Sequence, residues 1–561
     1  MRSTSGACAT LDPSGVLAVR MRSFATVLFI TLGLTGSAVS SGPAADAPAV
    51  LTQPTFFIVG HGWGHGLGLS QYGAFGYAQH GWKYDQILRH YYTGTSLGQA
   101  PVKRVRVLLS DGVARATISS KKGFKVIGAD GKAFVLEAGT YNVGAAFKAK
   151  DSSEPDSKPQ ALPYPIEFRP GSSAVALGGR AYRGSFRILK AGSKVKVVNV
   201  VDLDLYLRGV VPSEMPKDWA PEALKAQAVA ARSYAVSHLH PGGGFDLYPD
   251  TRDQVYLGIP HEAPATSAAV NATAGQVVLY KGKVASTYFF STSGGRTASV
   301  QDIYPNSPPI PYLVSVPDKY DSISPYHEWG PFKFTQRRLA RLFKLKGRLL
   351  DVQTVASPSG RVRSLVATGA DGEKTVEGPK ARTALGLRST WFRVGVLALG
   401  APTTPVAYGT AASLPGTARG VGKVELQQRE IGGAWETVAR LTPRGGSVAP
   451  KVKPSASSRF RLTVGEISSV PVAVSVSRSI RLHIPNDLSG FWGTIKPAST
   501  GAVVRIQRQA GAAWRTIATA RTADRGRFTV SRTVGPGTYR ARVSAGAGFV
   551  TGFSKPVDVV S

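Results

Sequence analysis

The alanine-rich run from Pro221 to Ala235 is the one long helical pattern in a chain that otherwise reads as short strands. Pro221 suits the first turn of a helix, and Pro241-Gly242-Gly243-Gly244 is a strong stop after it. Just before this helix lies Val210-Val211-Pro212-Ser213-Glu214-Met215-Pro216, a single carboxylate between two prolines in an apolar setting. The prolines stiffen the chain around Glu214. The valines, Met215 and Trp219 desolvate the carboxyl group and raise its pKa, as a general acid near neutral pH requires. The plain alternative is a surface glutamate in the loop that leads into the helix.

Lys225 and Arg232 are seven residues apart. On a helix they fall about 20° apart, two turns along one face. They read either as a solvated cationic stripe or as a rail for anions leading away from Glu214. A cation within ~4–6 Å of Glu214 would lower its pKa by ~1–3 units, the wrong direction for an acid. Lys225 and Arg232 are therefore expected to grip substrate anions rather than pair with Glu214. Arg232 suits a carboxylate held through two parallel hydrogen bonds.

The chain has 561 residues, enough for several domains, with 43% hydrophobic residues and a mean hydropathy of −0.04. From Met21 it reads as an export leader: Arg22, an apolar run Phe24 to Leu34, then Gly36-Ser37-Ala38-Val39-Ser40. Cleavage is expected near 38–47, with residues 1–20 an extension ahead of a start at Met21; an uncleaved membrane anchor is the alternative. The only cysteine is Cys8, outside the expected mature chain, which leaves no disulfide framework and no thiol catalysis. Lys and Arg number 68 against 34 Asp and Glu, a formal charge of +34. In an exported protein the available polyanions are wall polymers and phospholipid, and the cations are dispersed apart from a denser patch at Arg337 to Arg348. That distribution favours retention on an anionic wall over nucleic-acid binding.

Residues 41–55 form an Ala/Pro/Ser-rich tether. Alternating strands follow at Val105–Leu109, Phe134–Leu136, Phe186–Leu189, Lys194–Val198, Gln276–Tyr280 and Thr287–Phe290, with a short amphipathic helix at Thr335–Phe343. The expected fold is α+β, dominated by antiparallel strands, over residues 56–400. Ala401-Pro402-Thr403-Thr404-Pro405 begins a linker. After it, Val424–Arg429 with Trp435 echoes Val504–Arg508 with Trp514, about 79 residues on. These units read as two small β-sandwich modules of Ig-like size, residues 401–480 and 481–561, with each Trp in a core. They serve as wall-binding or spacer units.

Glycine occupies positions 60, 62, 64, 66 and 68, with His61, Trp63, His65 and Leu67 between. On an extended chain this leaves one face bare and open to close approach. No phosphate-loop lysine follows, and His61 and His65 would stand ~13 Å apart, too far to share a metal ion. His65, Ser70 and Gln71 are candidates to line a cleft. Gly94-Thr95-Ser96-Leu97-Gly98 matches a nucleophile elbow, but Pro101 and a strand follow where the elbow needs a helix.

Leu205 to Pro216, with Ala223 to Tyr234 after it, resembles the core of the stage II sporulation protein D (SpoIID/LytB) family. So do Asp253-Gln254-Val255-Tyr256-Leu257-Gly258, Ser291 to Thr297, Pro311 to Val316, and the glycine/His motif Gly60 to Ala74. In many relatives that last motif closes the domain at its C-terminal end. Here it comes first and the slot after Ser389-Thr390-Trp391-Phe392 runs into the linker, a circular permutation that needs the two ends of the fold close together. Some members carry a Cys/His zinc site; without cysteine near Gln254, no metal and no cofactor is expected. The resemblance implies a lytic transglycosylase on peptidoglycan strands stripped of peptides, with Glu214 as its acid and then its base. Gln254, Ser291 and Ser293 would bond sugar hydroxyls and acetamides. The expected partners are glycan strands, anionic wall polymers and a wall amidase, in a secreted, wall-associated protein. Two other readings stay open: a non-catalytic enhancer of a wall amidase, and a simple wall-binding protein.

Overall fold

The computed structural model describes residues 50–240 and 242–560. The expected leader, Cys8 and most of the tether lie outside the described residues. Helices and antiparallel sheets are mixed along the chain, an α+β arrangement.

Strand β1 (Thr55–His61) leads into the glycine-alternating segment, which is not an extended strand with a bare face. It is a winding loop in which Gly62, Gly64, Gly66 and Gly68 all have φ between 70° and 119°. A Cβ on Gly66 would lie 2.3 Å from the Arg361 guanidinium carbon, and one on Gly62 2.5 Å from the Thr292 carbonyl oxygen. Left-handed backbone and close approach, not a pleat, account for the alternation. Ser70 then caps helix α1 (Gln71–Gln79), accepting from the Gly73 N–H at 3.2 Å.

A six-stranded antiparallel sheet follows, with Arg104–Val113 at its edge beside Lys194–Asp202. Its Val105, Val107, Val197 and Val201 pack with Leu207, Val210 and Val211 of helix α2 (Leu203–Glu214). The loop expected around Glu214 is helix instead: α2 continues through Pro212, and Glu214 is its last residue. Pro212 removes one helical hydrogen bond. The packed valines hold the turn, and the Met215 N–H closes it on the Val211 carbonyl at 3.0 Å. Helix α3 (Pro221–Ser237) starts with Pro221 in its first turn. Its Ala223, Ala226, Ala228, Ala230 and Ala231 are fully buried. These small side chains let α1, α2, the helix Pro264–Ala272 and the strand Gln276–Tyr280 all pack against it.

Strand β2 (Glu328–Phe334), β1 and β3 (Phe392–Ala401) share one antiparallel sheet. Gly60 stands opposite Phe392 and Val50 opposite Ala401, so the two ends of the 56–400 region lie side by side. The His61 N–H donates to the Trp391 carbonyl at 2.8 Å and the Gly64 N–H to that of Arg388 at 3.1 Å. The glycine loop thus packs directly beside the Arg388–Phe392 stretch. Strand β3 also pairs with Gly416–Arg419, so the sheet crosses position 400 without a free linker.

Toward the C-terminus, β4 (Val424–Glu430) pairs with Glu436–Leu441 and with β5 (Ser458–Val464). In the same way β6 (Val503–Ala510) pairs with Ala513–Arg521 and with β7 (Gly537–Val543). Leu426, Phe460 and Leu462 of the first unit pack in one core with Phe57 of β1 and Leu397 and Leu399 of β3, while Ile506, Phe528 and Tyr539 form a separate core in the second. Trp435 and Trp514 are not in those cores. Trp435 precedes its strand and Trp514 stands opposite the exposed Gln509, so both rings are half-buried on the outer face beneath arginine side chains.

Gly66→Ala is expected to lower the unfolding free energy by about 2–3 kcal/mol, through both φ strain and the buried guanidinium it meets. Gly81→Ala, at φ 84° with nothing within 4 Å, is expected to lose only about 1 kcal/mol. Urea unfolding of the two variants beside the wild type checks the difference.

Candidate active site

Glu214 ends α2 among buried Val210, Val211 and Met215, with half-buried Trp219 nearby. Burial pushes its carboxyl pKa up to about 7, opposed by a hydrogen bond from the Val255 N–H. Neither Lys225 nor Arg232 acts on it. Gln71, the first residue of α1, donates Nε2 to the Glu214 backbone carbonyl at 3.0 Å and lies 3.5 Å from Gln227 Oε1 on α3. Gln227 and Gln254 are both buried, each with an unpartnered Nε2. The Tyr206 hydroxyl donates to Gln254 Oε1 at 3.4 Å, and its own pKa is raised by burial first and by Asp253, Tyr256 and Glu214 after it. Gln71 of α1 thus bridges the Glu214 backbone and Gln227 of α3, and the 254–255 loop reaches the Glu214 carboxyl through the Val255 N–H. Gln227 and Tyr206 escape the sequence reading; a lone glutamine on a helix without a solvent face is the signal for the first.

A line of aromatic rings leads away from this acid. Trp219 stacks on Phe75 at 4.6 Å and 10°, and Tyr72 meets Trp219 edge-on at 4.8 Å. The Tyr72 N–H donates to the Ser291 carbonyl at 3.0 Å, and the Trp63 N–H to that of Thr292 at 2.8 Å. Trp63, 36% exposed, meets Tyr326 at 4.6 Å, and the Arg388 guanidinium lies over both rings at 5.1 and 4.5 Å. Ser291 lies between these rings, half-buried, its hydroxyl 3.2 Å from that of Thr292.

Other expected site residues are held differently. Arg232 does not face a substrate anion: it is fully buried, with Nε on Asp204 at 2.7 Å and its Nη groups on the Gln276 and Val270 carbonyls at 3.0 and 3.3 Å. Lys225 bonds Glu222 at 2.7 Å and lies over the Tyr84 ring. The helical spacing is as read, but neighbours surround α3, so the pair makes no solvent-facing rail. His65 accepts from the Leu67 N–H with Nδ1 and donates Nε2–H to the Phe289 carbonyl, both at 3.0 Å. Burial lowers its pKa to about 4, so it is a neutral packing residue with both nitrogens committed. Ser70 and Ser293 are buried at a carboxylate, Asp321. That group accepts from Ser70 Oγ, the Ser293 and Gly294 N–H groups and His327 Nδ1, at 2.8–3.0 Å. The two serines therefore shape the 291–295 loop instead of facing a ligand. Gln71 and Gln254 are the two expected binding residues that the fold brings to Glu214.

A carboxyl whose pKa rises from 4.5 to about 7 on folding supports the fold fully below 4.5 and loses that support as pH rises through 7. Between pH 4 and 8, urea midpoints of the wild type are expected to fall relative to Glu214→Gln, which has no such proton to lose. Parallel curves would refute a raised Glu214 pKa.

Comparison with known proteins locates this site within a described family. Residues 191–280, which include α2, Glu214 and α3, match the SpoIID family, described as stage II sporulation protein. Stage II sporulation protein D of Bacillus subtilis is 34% identical over 219 residues, 35% of this chain and 61% of that one. The amidase enhancer of the same organism is 26% identical over 273 residues, 45% of this chain and 37% of that one. An uncharacterized protein of Brachyspira hyodysenteriae is 34% identical over 185 residues, 32% of this chain and 44% of that one. The chain therefore spans less than two thirds of the length of each of these relatives. The segment that carries Glu214 is therefore similar to the SpoIID family over residues 191–280.

Proposed function

We propose that this protein is an exported lytic transglycosylase that cleaves peptidoglycan strands from which the peptides have been removed. The observation that carries this is the Glu214 carboxyl, held at a pKa of about 7 by burial and unpaired with any cation; the other carboxyl that burial raises to about 7, Asp318, is enclosed by Tyr91, Ser70 and Ser293. Hydrolysis of a glycoside needs two carboxylates because an external water must be activated. Asp253, the other carboxylate acting on Tyr206, is committed to the Tyr248 N–H at 2.8 Å and to His240 at 3.2 Å. A lytic reaction needs one. Glu214 protonates the glycosidic oxygen as its bond to the anomeric carbon breaks, and the sugar's own C6 hydroxyl oxygen bonds to that carbon. The C6 hydroxyl proton then returns to Glu214, no water is consumed, and the product ends in 1,6-anhydro-muramic acid. Gln254 and Gln227 have amide protons left for the sugar's acetamide or hydroxyl oxygens. The half-buried Tyr72 and Trp219 rings offer apolar surface to a sugar.

Similarity to an amidase enhancer favours a second reading, in which the domain engages the glycan and a wall amidase acts beside it. Both readings place the protein outside the cytoplasm, at the wall, with the C-terminal β modules as Ig-like attachment units.

Mass spectrometry of amidase-stripped glycan strands incubated with wild type or Glu214→Gln separates the two. Loss of a positioned acid–base group is expected to remove about 10²–10⁴-fold of the rate of anhydro-muramyl product formation. The wild-type rate is expected to fall about tenfold per pH unit above about 7, as Glu214 loses its proton. No product from either protein, with stimulation only when an amidase is added, would replace the enzyme by the enhancer.

A further inference from the structure

The two C-terminal modules repeat one surface device. In the first, Arg461 of β5 stands opposite Gln427 of β4 and donates Nε to its Oε1 at 2.9 Å, while its guanidinium lies over the Trp435 ring at 4.2 Å. In the second, Arg540 of β7 stands opposite Gln507 of β6, donates Nε to its Oε1 at 2.9 Å, and lies over Trp514 at 4.1 Å. Each glutamine sits at a bulge in its strand pair, after Leu426 in one module and Ile506 in the other. The two sites thus agree in amide, indole, register and distance; Arg540 lies in addition over the Phe553 ring at 4.2 Å, and Arg429 over the Trp435 ring at 4.7 Å.

In both copies the amide fixes Nε and the indole fixes the plane, which leaves the two Nη groups without a hydrogen-bond partner among the described residues. That is a guanidinium fork already oriented for a carboxylate or phosphate. A second arginine crowds each fork. Burial, and then the charge of Arg429, hold Arg461 below its usual pKa; burial, and then Arg542, do the same for Arg540. Among the described residues none of these four arginines has a carboxylate at ion-pair distance, since Glu425 is bonded to Arg440 and Glu430 to Ser455. A stack that served only to pin the indole would gain nothing from a like charge beside it. Over residues 401–561, Lys and Arg outnumber Asp and Glu by roughly three to one, against 68 to 34 in the whole chain. Guanidinium groups cover the Trp435 ring, from both Arg429 and Arg461, so it offers little surface for the base stacking that single-stranded nucleic acid needs.

The geometry points to a tandem anion-binding surface, one preorganised guanidinium fork per module, for a linear wall glycopolymer that carries repeated carboxylate or phosphate groups. Two weak sites on one polymer act together, so affinity depends on both being present. This surface is independent of the chemistry at Glu214.

The test uses the full chain and three immobilised polymers: peptide-stripped glycan strands (carboxylate), poly(glycerol phosphate) (phosphodiester) and duplex DNA. The double variant Arg461→Lys/Arg540→Lys keeps the charge but loses the fork, and is expected to bind one of the two wall polymers about tenfold or more weakly, with each single variant between. A second double variant, Arg429→Gln/Arg542→Gln, leaves both indole stacks with Arg461 and Arg540 in place. It is expected to bind more weakly, while its thermal midpoint without polymer stays level or rises as like-charge crowding is relieved. Loss confined to the glycan strands identifies the carboxylate source, and loss confined to poly(glycerol phosphate) the phosphate source. Wild-type affinity in both double variants would overturn the proposal. Duplex DNA binding as tightly as the better wall polymer, with the same losses, would overturn it in favour of a nucleic-acid surface.

Discussion

The position of Glu214 depends on an ion pair at the other end of its helix. Arg232 on α3, with no exposed surface, meets Asp204 in the first turn of α2, and the other Asp204 oxygen accepts from the Gly275 N–H at 3.1 Å. Through its Nη groups the same arginine reaches the Val270 and Gln276 carbonyls. One guanidinium, itself without exposed surface, therefore joins two helices, a third helix and a strand, while Asp204 keeps part of its surface in water. Removing one partner from such a contact typically destabilises by about 3–5 kcal/mol, because the other charge is left buried and alone. With the start of α2 anchored, its end delivers Glu214 into an apolar setting, where lack of solvation sets its pKa.

The glycine loop supplies the opposite wall. Its backbone turns at Gly62, Gly64, Gly66 and Gly68 allow contact with the Tyr288 carbonyl, Thr292 and Arg361 at distances that no side chain would permit. Ser70 and Gln71 follow directly, one feeding Asp321 and the other Glu214. A single short stretch thus ties the 291–295 loop, the acid and the Trp63 ring into one surface. Its seat between β1, β2 and Arg388–Trp391 places residues from both ends of the region in one sheet.

The first module beyond β3 shares that sheet through Gly416–Arg419 and Ser447–Val448, so its orientation relative to Glu214 is fixed by strand pairing instead of by a tether. The outer faces of both modules are cationic and their cores apolar, the usual division for half-buried antiparallel strands. Charge that the composition shows only as an excess is gathered, in the fold, into two matched arginine clusters.

By itself the sequence determined the local elements. Proline at the head of an alanine run and Pro-Gly after it bound α3, alternation marked the strands, and the apolar residues beside Glu214 signalled its raised pKa, because each of these signals lies within a few residues. The 79-residue echo marked two related modules for the same reason. Tertiary structure decided which polar groups face outward. Lys225 and Arg232 share a helical face, but whether that face meets water depends on the Pro264–Ala272 helix and the strand Gln276–Tyr280, which pack against it from later in the chain. His65, Ser70 and Ser293 found partners 224, 251 and 223 residues away along the chain, a separation at which no pattern in the sequence carries information. Trp435 and Trp514 left the core because arginines on other strands cover their rings. The chain specifies its elements locally, and long-range packing assigns each polar side chain to scaffold or to site.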